Sequence, residues 1–217
     1  MKGAVSLPAD ARREQLLQVG AEMFSSRAYD EVEISEVAKA AGVSRGLLYH
    51  YFPGKRAFYA AIVEAHANEL ARVTETDVKG LDSLRAVIDA YFDYAEQHES
   101  GYRAMHRGAP SADPEIRAII DRSRNLHASR LLSFLPEPLR NSPTARVVVD
   151  GWVSLMLTAC LAWLDDREIN REWLREICVD ALVAALMRSY RLEFGEIPAG
   201  YDEFGDLPVE PSSGPTD

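Results

Sequence analysis

Apolar residues spaced three and four positions apart recur along most of the chain, and this periodicity constrains its fold more than any other feature. Leu16, Gly20 and Phe24 form one such stripe near the start, whereas the strict alternation typical of strands is short and rare. With 47% hydrophobic and 27% charged residues over 217 positions, the chain has enough apolar side chains to bury a core. The sequence therefore predicts an all-α fold.

Residues that start and stop helices divide the chain into segments. Gly42 follows a helix predicted over 34–41 and is placed to end it as a C-terminal cap. Ser44, and later Asn170, are of the type that accepts a hydrogen bond at a helix N-terminus. Asp113 and Ser142 each precede a proline, which favours the first helical position.

Three predicted helices within the first 50 or so residues match a helix-turn-helix, with Gly42 in the turn. In the following segment, SRGLLYHYF, Leu48 and Phe52 are one turn apart and are predicted to face inward. The outward positions are then Arg45, Gly46, Leu47, Tyr49 and Tyr51. An outward leucine and two tyrosines are unusual on a face that only meets water, so this helix is a candidate contact surface.

The net charge of −10 argues at first against a nucleic-acid partner. Residues 1–56, however, have a net charge of only +1, and residues 196–217 contain six acidic and no basic residues. Because the negative charge lies in the body and tail, a few well-placed cations in the first quarter of the chain can still bind phosphates.

The segment EVAKAAGVSRGLLYHYFPGKRAFYAAI resembles the DNA-binding signature of TetR-family transcriptional regulators. The resemblance covers roughly residues 10–62 and implies a three-helix DNA-binding domain at 1–54 and a larger helical ligand-binding and dimerisation domain at 55–195. Residues 196–217 are rich in Pro, Gly and acidic residues, and this composition predicts a disordered acidic tail.

The family pattern implies a set of DNA-binding residues: Ser35, Ser44, Arg45, Gly46, Leu47, Tyr49, His50, Tyr51 and Lys55. In that pattern Arg45 reaches base edges, Gly46 allows close backbone approach and Leu47 contacts a thymine methyl group. The tyrosine hydroxyls and Lys55 suit phosphate oxygens, whereas His50 faces either DNA or protein. The chain departs from the family at Val32-Glu33, where Thr-Thr or a similar pair is common, and Ser35 is then a substitute DNA contact.

The resemblance also implies a homodimer and a small-molecule site in the later helices. We expect the effector pocket to use residues that combine apolar bulk with a polar tip: Tyr91, Tyr94, Tyr102, Met105, His106, His127, Phe134 and Trp152. We expect the dimer interface to use a second apolar stripe on the last two helices: Val147, Met156, Trp163, Trp173, Ile177, Leu182 and Leu186. The alternative, in which these helices form the centre of a monomer, stays open.

No sequence motif indicates catalysis, a metal or a cofactor, because the histidines lack metal-ligand spacing and no GxSxG or P-loop string occurs. Two unpaired cysteines and the absence of a signal-peptide core favour the cytoplasm. The uncharged run Trp152–Leu164 is too short to span a membrane, and we expect that helix to be buried on all sides and no membrane to be a partner.

Taken with the resemblance, these features predict a cytoplasmic regulator that binds a near-palindromic operator in double-stranded DNA. We expect a repressor released by a small apolar effector, such as an acyl-CoA thioester or another lipid. The acidic total and Glu33 motivate the alternative, a helical small-molecule-binding or enzyme module that does not bind DNA.

Overall fold

The computed structural model describes residues 8–77, 80–107 and 113–196, and over these residues it is helical without strands. The helices are α1 (Ala9–Ser26), α2 (Ile34–Ala40), α3 (Arg45–Tyr51), α4 (Lys55–Val73), α5 (Leu81–Gln97), α6 (Glu99–Arg107), α7 (Pro114–Phe134), α8 (Pro143–Asp165) and α9 (Arg171–Phe194). The predicted all-α fold is confirmed. The tail that we predict to be disordered, residues 196–217, lies outside the described residues except for Glu196.

Three helices begin where the sequence predicts a side-chain cap. Ser44 Oγ accepts a hydrogen bond from the Leu47 N–H at 3.1 Å, and Ser142 Oγ accepts one from the Ala145 N–H at 3.0 Å. Asn170 Oδ1 accepts from the Trp173 N–H at 2.9 Å. Each cap satisfies an amide that the first turn of a helix leaves unpaired.

The described residues form two compact units. The first contains residues 8–73, 91–107 and 113–125, and the second contains residues 74–77, 80–90 and 126–196. In the first unit α1 packs against both α4 and α6, so the N-terminal helices share a unit with part of the later chain. The domain boundary after residue 54 stays a prediction.

An aromatic cluster holds α1 against α4 in the first unit. The Phe24 ring meets Tyr59 edge-on at 4.8 Å, and both side chains are buried. Gly20, one turn earlier on α1, lies so close to α4 that a Cβ atom there would be 2.4 Å from Phe58 Cζ. The missing side chain therefore permits this helix contact.

Replacing Gly20 with alanine should lower the free energy of unfolding by about 1–3 kcal/mol, because Phe58 and Ile62 are fully buried and cannot move aside freely. Urea unfolding measures the change. Gly46→Ala is the control, since a Cβ there meets only Ser44 Oγ at 3.9 Å and helix propensity favours alanine. Equal stability of the two variants would contradict the close α1–α4 contact.

In the second unit α8 packs along α9. Its core contains Ala128, Leu132, Leu135, Leu139, Ala145, Val149, Leu182, Leu186 and Tyr190. The prediction that α8 is buried on all sides is wrong: Val147 is 71% exposed and Leu155 is 39% exposed. The sequence shows the apolar character of α8 but not how many of its faces the same subunit covers.

By length and composition alone, α8 could cross a membrane. Core helices of globular proteins pass the same test, and the exposed face of α8 carries an ion pair between Arg146 and Asp150, with a nitrogen-to-oxygen distance of 2.9 Å. The apolar length of α8 is therefore weak evidence for a membrane span.

Candidate nucleic-acid interface

The turn between α2 and α3 is a Schellman motif. Gly42 has φ of +67°, which glycine adopts without strain. The Gly42 N–H donates to the Lys39 carbonyl at 3.1 Å, and the Val43 N–H donates to the Ala38 carbonyl at 2.9 Å. This turn ends α2 and sets the direction in which α3 leaves it.

The two faces of α3 differ as the sequence predicts. Leu48 is fully buried and Phe52 is 3% exposed, so this side anchors the helix in the first unit. The opposite side is exposed at Ser44, Arg45, Gly46, Leu47, Tyr49 and His50. Leu47 and Tyr49, at 37% and 38% exposure, are large side chains left in solvent. The short helix thus presents a mixed apolar and hydrogen-bonding surface.

The Arg45 side chain lies along this surface against Tyr49. Its Nη2 donates to Tyr49 Oη at 3.2 Å, and the guanidinium carbon is 5.3 Å from the centre of the Tyr49 ring. The contact raises the pKa of Arg45, chiefly through the hydrogen bond. Because one N–H of five is used, the guanidinium keeps donors for an external partner.

The other predicted contact residues lie around α3. Ser35 on α2 is exposed, and Tyr51 is half-buried at the end of α3. Lys55 begins α4 and is also half-buried; its Nζ donates to the Asp30 carbonyl at 3.2 Å and lies 4.7 Å from the Tyr29 ring centre. One of the three N–H donors of the Lys55 ammonium is thus used within the protein. His50, whose orientation the sequence leaves open, is exposed.

Three of the predicted effector residues come together in the first unit. Tyr91 Oη and Tyr102 Oη are 3.0 Å apart, and the Tyr102 ring lies 4.6 Å from the His106 ring. Met105, next to His106 on α6, is 4% exposed. Tyr94 belongs to the same unit but has a different partner.

That partner is His66 on α4, which the sequence analysis does not select. Tyr94 Oη donates to the His66 carbonyl at 3.1 Å, and His66 Nδ1 lies 2.7 Å from the same hydroxyl oxygen. On the other side of the ring, a Cβ on Gly101 would be 1.9 Å from His66 Nε2, so only glycine fits there. Spacing one turn from Ile62 and from Leu70 is the signal that indicates burial at this position.

Acid should destabilise the protein through His66. Burial, helped by the charge of His98, lowers the pKa of His66 from 6.5 to about 4. The folded state then binds a proton more weakly than the unfolded state, so stability is lost as pH falls from 6.5 towards 4, by about 2 kcal/mol at pH 5. Urea unfolding at pH 7 and pH 5 measures this, and His66→Asn, which keeps a donor for Tyr94, should lose less stability. Equal losses in both proteins would contradict the assignment.

The remaining predicted effector residues lie in the second unit. His127 Nε2 is 3.2 Å from Thr74 Oγ1, and Phe134 is half-buried. The Trp152 indole N–H donates to the Cys178 carbonyl at 2.7 Å, and its ring packs on the core of that unit. Trp152 therefore has a packing role in the subunit.

The predicted dimer residues divide into two groups. Val147, Trp173 and Ile177 are 71%, 73% and 59% exposed and are available to a second subunit. The other four are buried within the subunit: Met156, Trp163, Leu182 and Leu186. These four therefore offer little surface to a partner in the subunit as described, and Leu182 and Leu186 belong to the core of the second unit. Leu155 and Leu192 are exposed instead, and the sequence analysis does not name them.

Within the described ranges, no group of three or more His, Cys, Asp or Glu residues is arranged to hold a metal ion. Cys160 and Cys178 are buried, and neither forms a disulfide within the described ranges.

Two family models match the chain. Residues 16–62 match the model described as "Bacterial regulatory proteins, tetR family", and residues 81–185 match "Tetracyclin repressor-like, C-terminal domain". The first match contains the whole of α2 and α3, and the second runs from the start of α5 into α9.

Named relatives and a solved structure agree with these models. The chain is 28% identical over 172 residues to the HTH-type transcriptional activator FasR of Mycolicibacterium smegmatis, covering 76% of this chain and 78% of the relative. It is 28% identical over 171 residues to the HTH-type transcriptional repressor NemR of Escherichia coli, covering 68% and 83%. A crystal structure of a tetR-family transcriptional regulator from Streptomyces coelicolor superposes with a TM-score of 0.70 at 34% identity, covering 84% of this chain and 85% of that one.

Proposed function

The chain belongs to the TetR family of transcriptional regulators, and on this premise we propose that it is a repressor that a small apolar effector releases from its operator. Regulators of this family bind operator DNA and dimerise, and the family is not one of enzymes. The observation that carries the proposal is the exposed face of α3, fixed from behind by the buried Leu48.

In the proposed complex α3 enters the major groove with its N-terminal end foremost. Arg45 is then at the end nearest the bases, where a guanidinium matches the two acceptors of a guanine. Gly46 adds no side chain between the helix and the DNA, and Leu47 offers an apolar surface to a thymine methyl group.

The proposed phosphate contacts lie around α3. Tyr49, Tyr51 and Lys55 bring hydroxyl and ammonium donors to the flanks of α3, and such contacts set the register of a protein on DNA. Ser35, Ser44 and His50 complete the proposed set as smaller polar contacts on the exposed surface.

We propose that the dimer forms through the exposed face of α8 and α9. Val147, Leu155, Trp173, Ile177 and Leu192 are large apolar side chains that the subunit leaves in solvent. A two-fold axis through this face would build a four-helix contact and bury them. It would also bring together two α3 helices, one from each subunit, as a near-palindromic operator requires.

In the proposed mechanism the effector favours a dimer state in which α4 moves the DNA-binding heads apart. The half-site spacing then no longer matches the duplex, and operator affinity falls. Repression follows when the operator overlaps a promoter; the relatives NemR and FasR are named as a repressor and an activator. Of the lipid effectors that the sequence suggests, an uncharged lipid fits the mixed apolar and hydroxyl character of the effector residues better than an acyl-CoA thioester, whose phosphates would need paired cations.

A gel shift with the DNA upstream of the protein's own gene tests the DNA-binding proposal. We expect a discrete complex that survives excess unrelated DNA and weakens as salt rises, because phosphate contacts release counterions. A promoter fusion in cells with and without the protein then gives the sign, with repression expected. No specific complex at low salt would favour a small-molecule-binding module that does not bind DNA.

A further inference from the structure

His106 carries a buried ring nitrogen that has no hydrogen-bond partner in the described part of the chain. The residue lies near the end of α6, and its Nε2 has no hydrogen-bond partner among the residues that the structure describes. Buried polar atoms in folded proteins are nearly always paired, because leaving one unpaired costs the whole desolvation of that group. Such a nitrogen is free to form a hydrogen bond with a bound molecule.

The His106 ring is neutral at physiological pH. Burial, together with the positive charge of Arg124, lowers its pKa to about 3. A neutral imidazole donates or accepts a single hydrogen bond through Nε2, according to its tautomer. The uncharged ring does not neutralise an anion, and Arg124 is an exposed side chain on α7, so an anion placed against Nε2 would lose hydration that the ring does not replace.

The surroundings of the ring are apolar or already satisfied. Tyr102, whose ring meets the His106 ring edge-on, is fully buried, and the Tyr102 hydroxyl is paired with the Tyr91 hydroxyl. Met105, the preceding residue on α6, is also buried. Among the buried side-chain polar atoms of these described residues, His106 Nε2 is the one without a hydrogen-bond partner.

We propose that His106 Nε2 is the recognition point for the effector, and that the effector is an uncharged, largely apolar molecule with one hydroxyl or carbonyl group. This inference rests on the proposed function only in calling the ligand an effector. A hydroxyl suits the site in either tautomer, since it both donates and accepts.

The position of His106 on α6 connects the site to the DNA-binding head. Two residues earlier on the same helix, the Ala104 carbonyl accepts a hydrogen bond from Tyr59 Oη of α4. The Tyr59 ring meets Tyr29 edge-on at 5.3 Å, and the Tyr29 ring lies under the Lys55 ammonium. A displacement of α6 by a ligand at His106 therefore acts on the start of α4 through direct contacts.

A matched set of ten-carbon probes tests the proposal by thermal unfolding of the full chain without DNA. The probes are decan-1-ol, decane and decanoate, and the variants are His106→Leu, which removes the hydrogen bond, and His106→Gln, which keeps a neutral one. We expect decan-1-ol to raise the melting temperature of the wild type at least three times as much as decane or decanoate. His106→Gln should keep this preference, and His106→Leu should lose it.

Without any probe, His106→Leu should melt roughly 2–4 °C higher than the wild type, because the unpaired atom is gone. A structural histidine would give the opposite sign. The proposal is overturned if the wild type responds to no probe, if decanoate stabilises it most, or if His106→Leu keeps the alcohol preference or melts lower. A gel shift of the wild type separates this inference from the proposed function. No operator binding by the wild type sinks the proposed function, whereas intact operator binding with no alcohol preference in thermal unfolding sinks only this inference.

Discussion

Replacing Arg45 with alanine is expected to lower operator affinity by roughly thirtyfold to twenty-thousandfold. A bidentate arginine–guanine pair contributes about 1–3 kcal/mol of discrimination, and a two-fold complex loses it once in each half-site. The fold should be unaffected, because the Arg45 side chain lies on the exposed face of α3 and its hydrogen bond goes to another exposed side chain. Fluorescence anisotropy with operator and with scrambled DNA of the same length measures both affinities.

Arg45→Lys is the matched variant for this prediction. Lysine keeps the positive charge but not the planar pair of donors, so scrambled DNA should bind nearly as before while operator binding falls. A drop of similar size on both DNAs would assign Arg45 to phosphate instead of base contact. An unchanged operator affinity in Arg45→Ala would contradict the proposal that α3 contacts the bases.

Replacing Ile177 with glutamate is expected to convert the dimer to a monomer at micromolar concentration. In the proposed interface the substitution places two carboxylates near a two-fold axis in an apolar contact, where burial without a partner is costly. The dimer dissociation constant should rise by roughly a hundredfold or more, equivalent to about 3 kcal/mol. Sedimentation velocity measures it, and operator binding should fall in parallel because one head makes too few contacts.

Leu126→Glu is the control for the interface, since Leu126 is 42% exposed on α7 and lies outside the proposed face on α8 and α9. It should remain dimeric. If Leu126→Glu dissociates while Ile177→Glu does not, the dimer uses a different surface from the one proposed.

Local features of the DNA-binding head could be predicted from sequence because each depends on neighbours in the chain. Gly42 needs positive φ at a helix end, Ser44 caps the next amides, and Leu48 repeats one turn before Phe52. Such signals act within a few residues, so no knowledge of tertiary packing is required to interpret them.

Packing between distant helices could not be predicted in the same way. Helices α8 and α9 each carry more than one apolar stripe, and periodicity does not say which stripe the subunit itself covers. In the structure Trp163 and Leu182 are buried, whereas Trp173 faces solvent, and periodicity alone does not distinguish these cases. His66 on α4 and Tyr94 on α5 are 28 positions apart in the chain. Apart from the apolar stripe around His66, the sequence near these residues carries no pattern that indicates their pairing.

The central claim is that two α3 helices, one from each subunit, bind two half-sites of the operator. Hydroxyl-radical footprinting of the wild-type protein on the DNA upstream of its own gene tests this claim most directly. The account predicts two protected tracts of similar length, related by a two-fold axis and centred about one helical turn, or a whole multiple of it, apart. A single tract, or protection that does not depend on sequence, would contradict it.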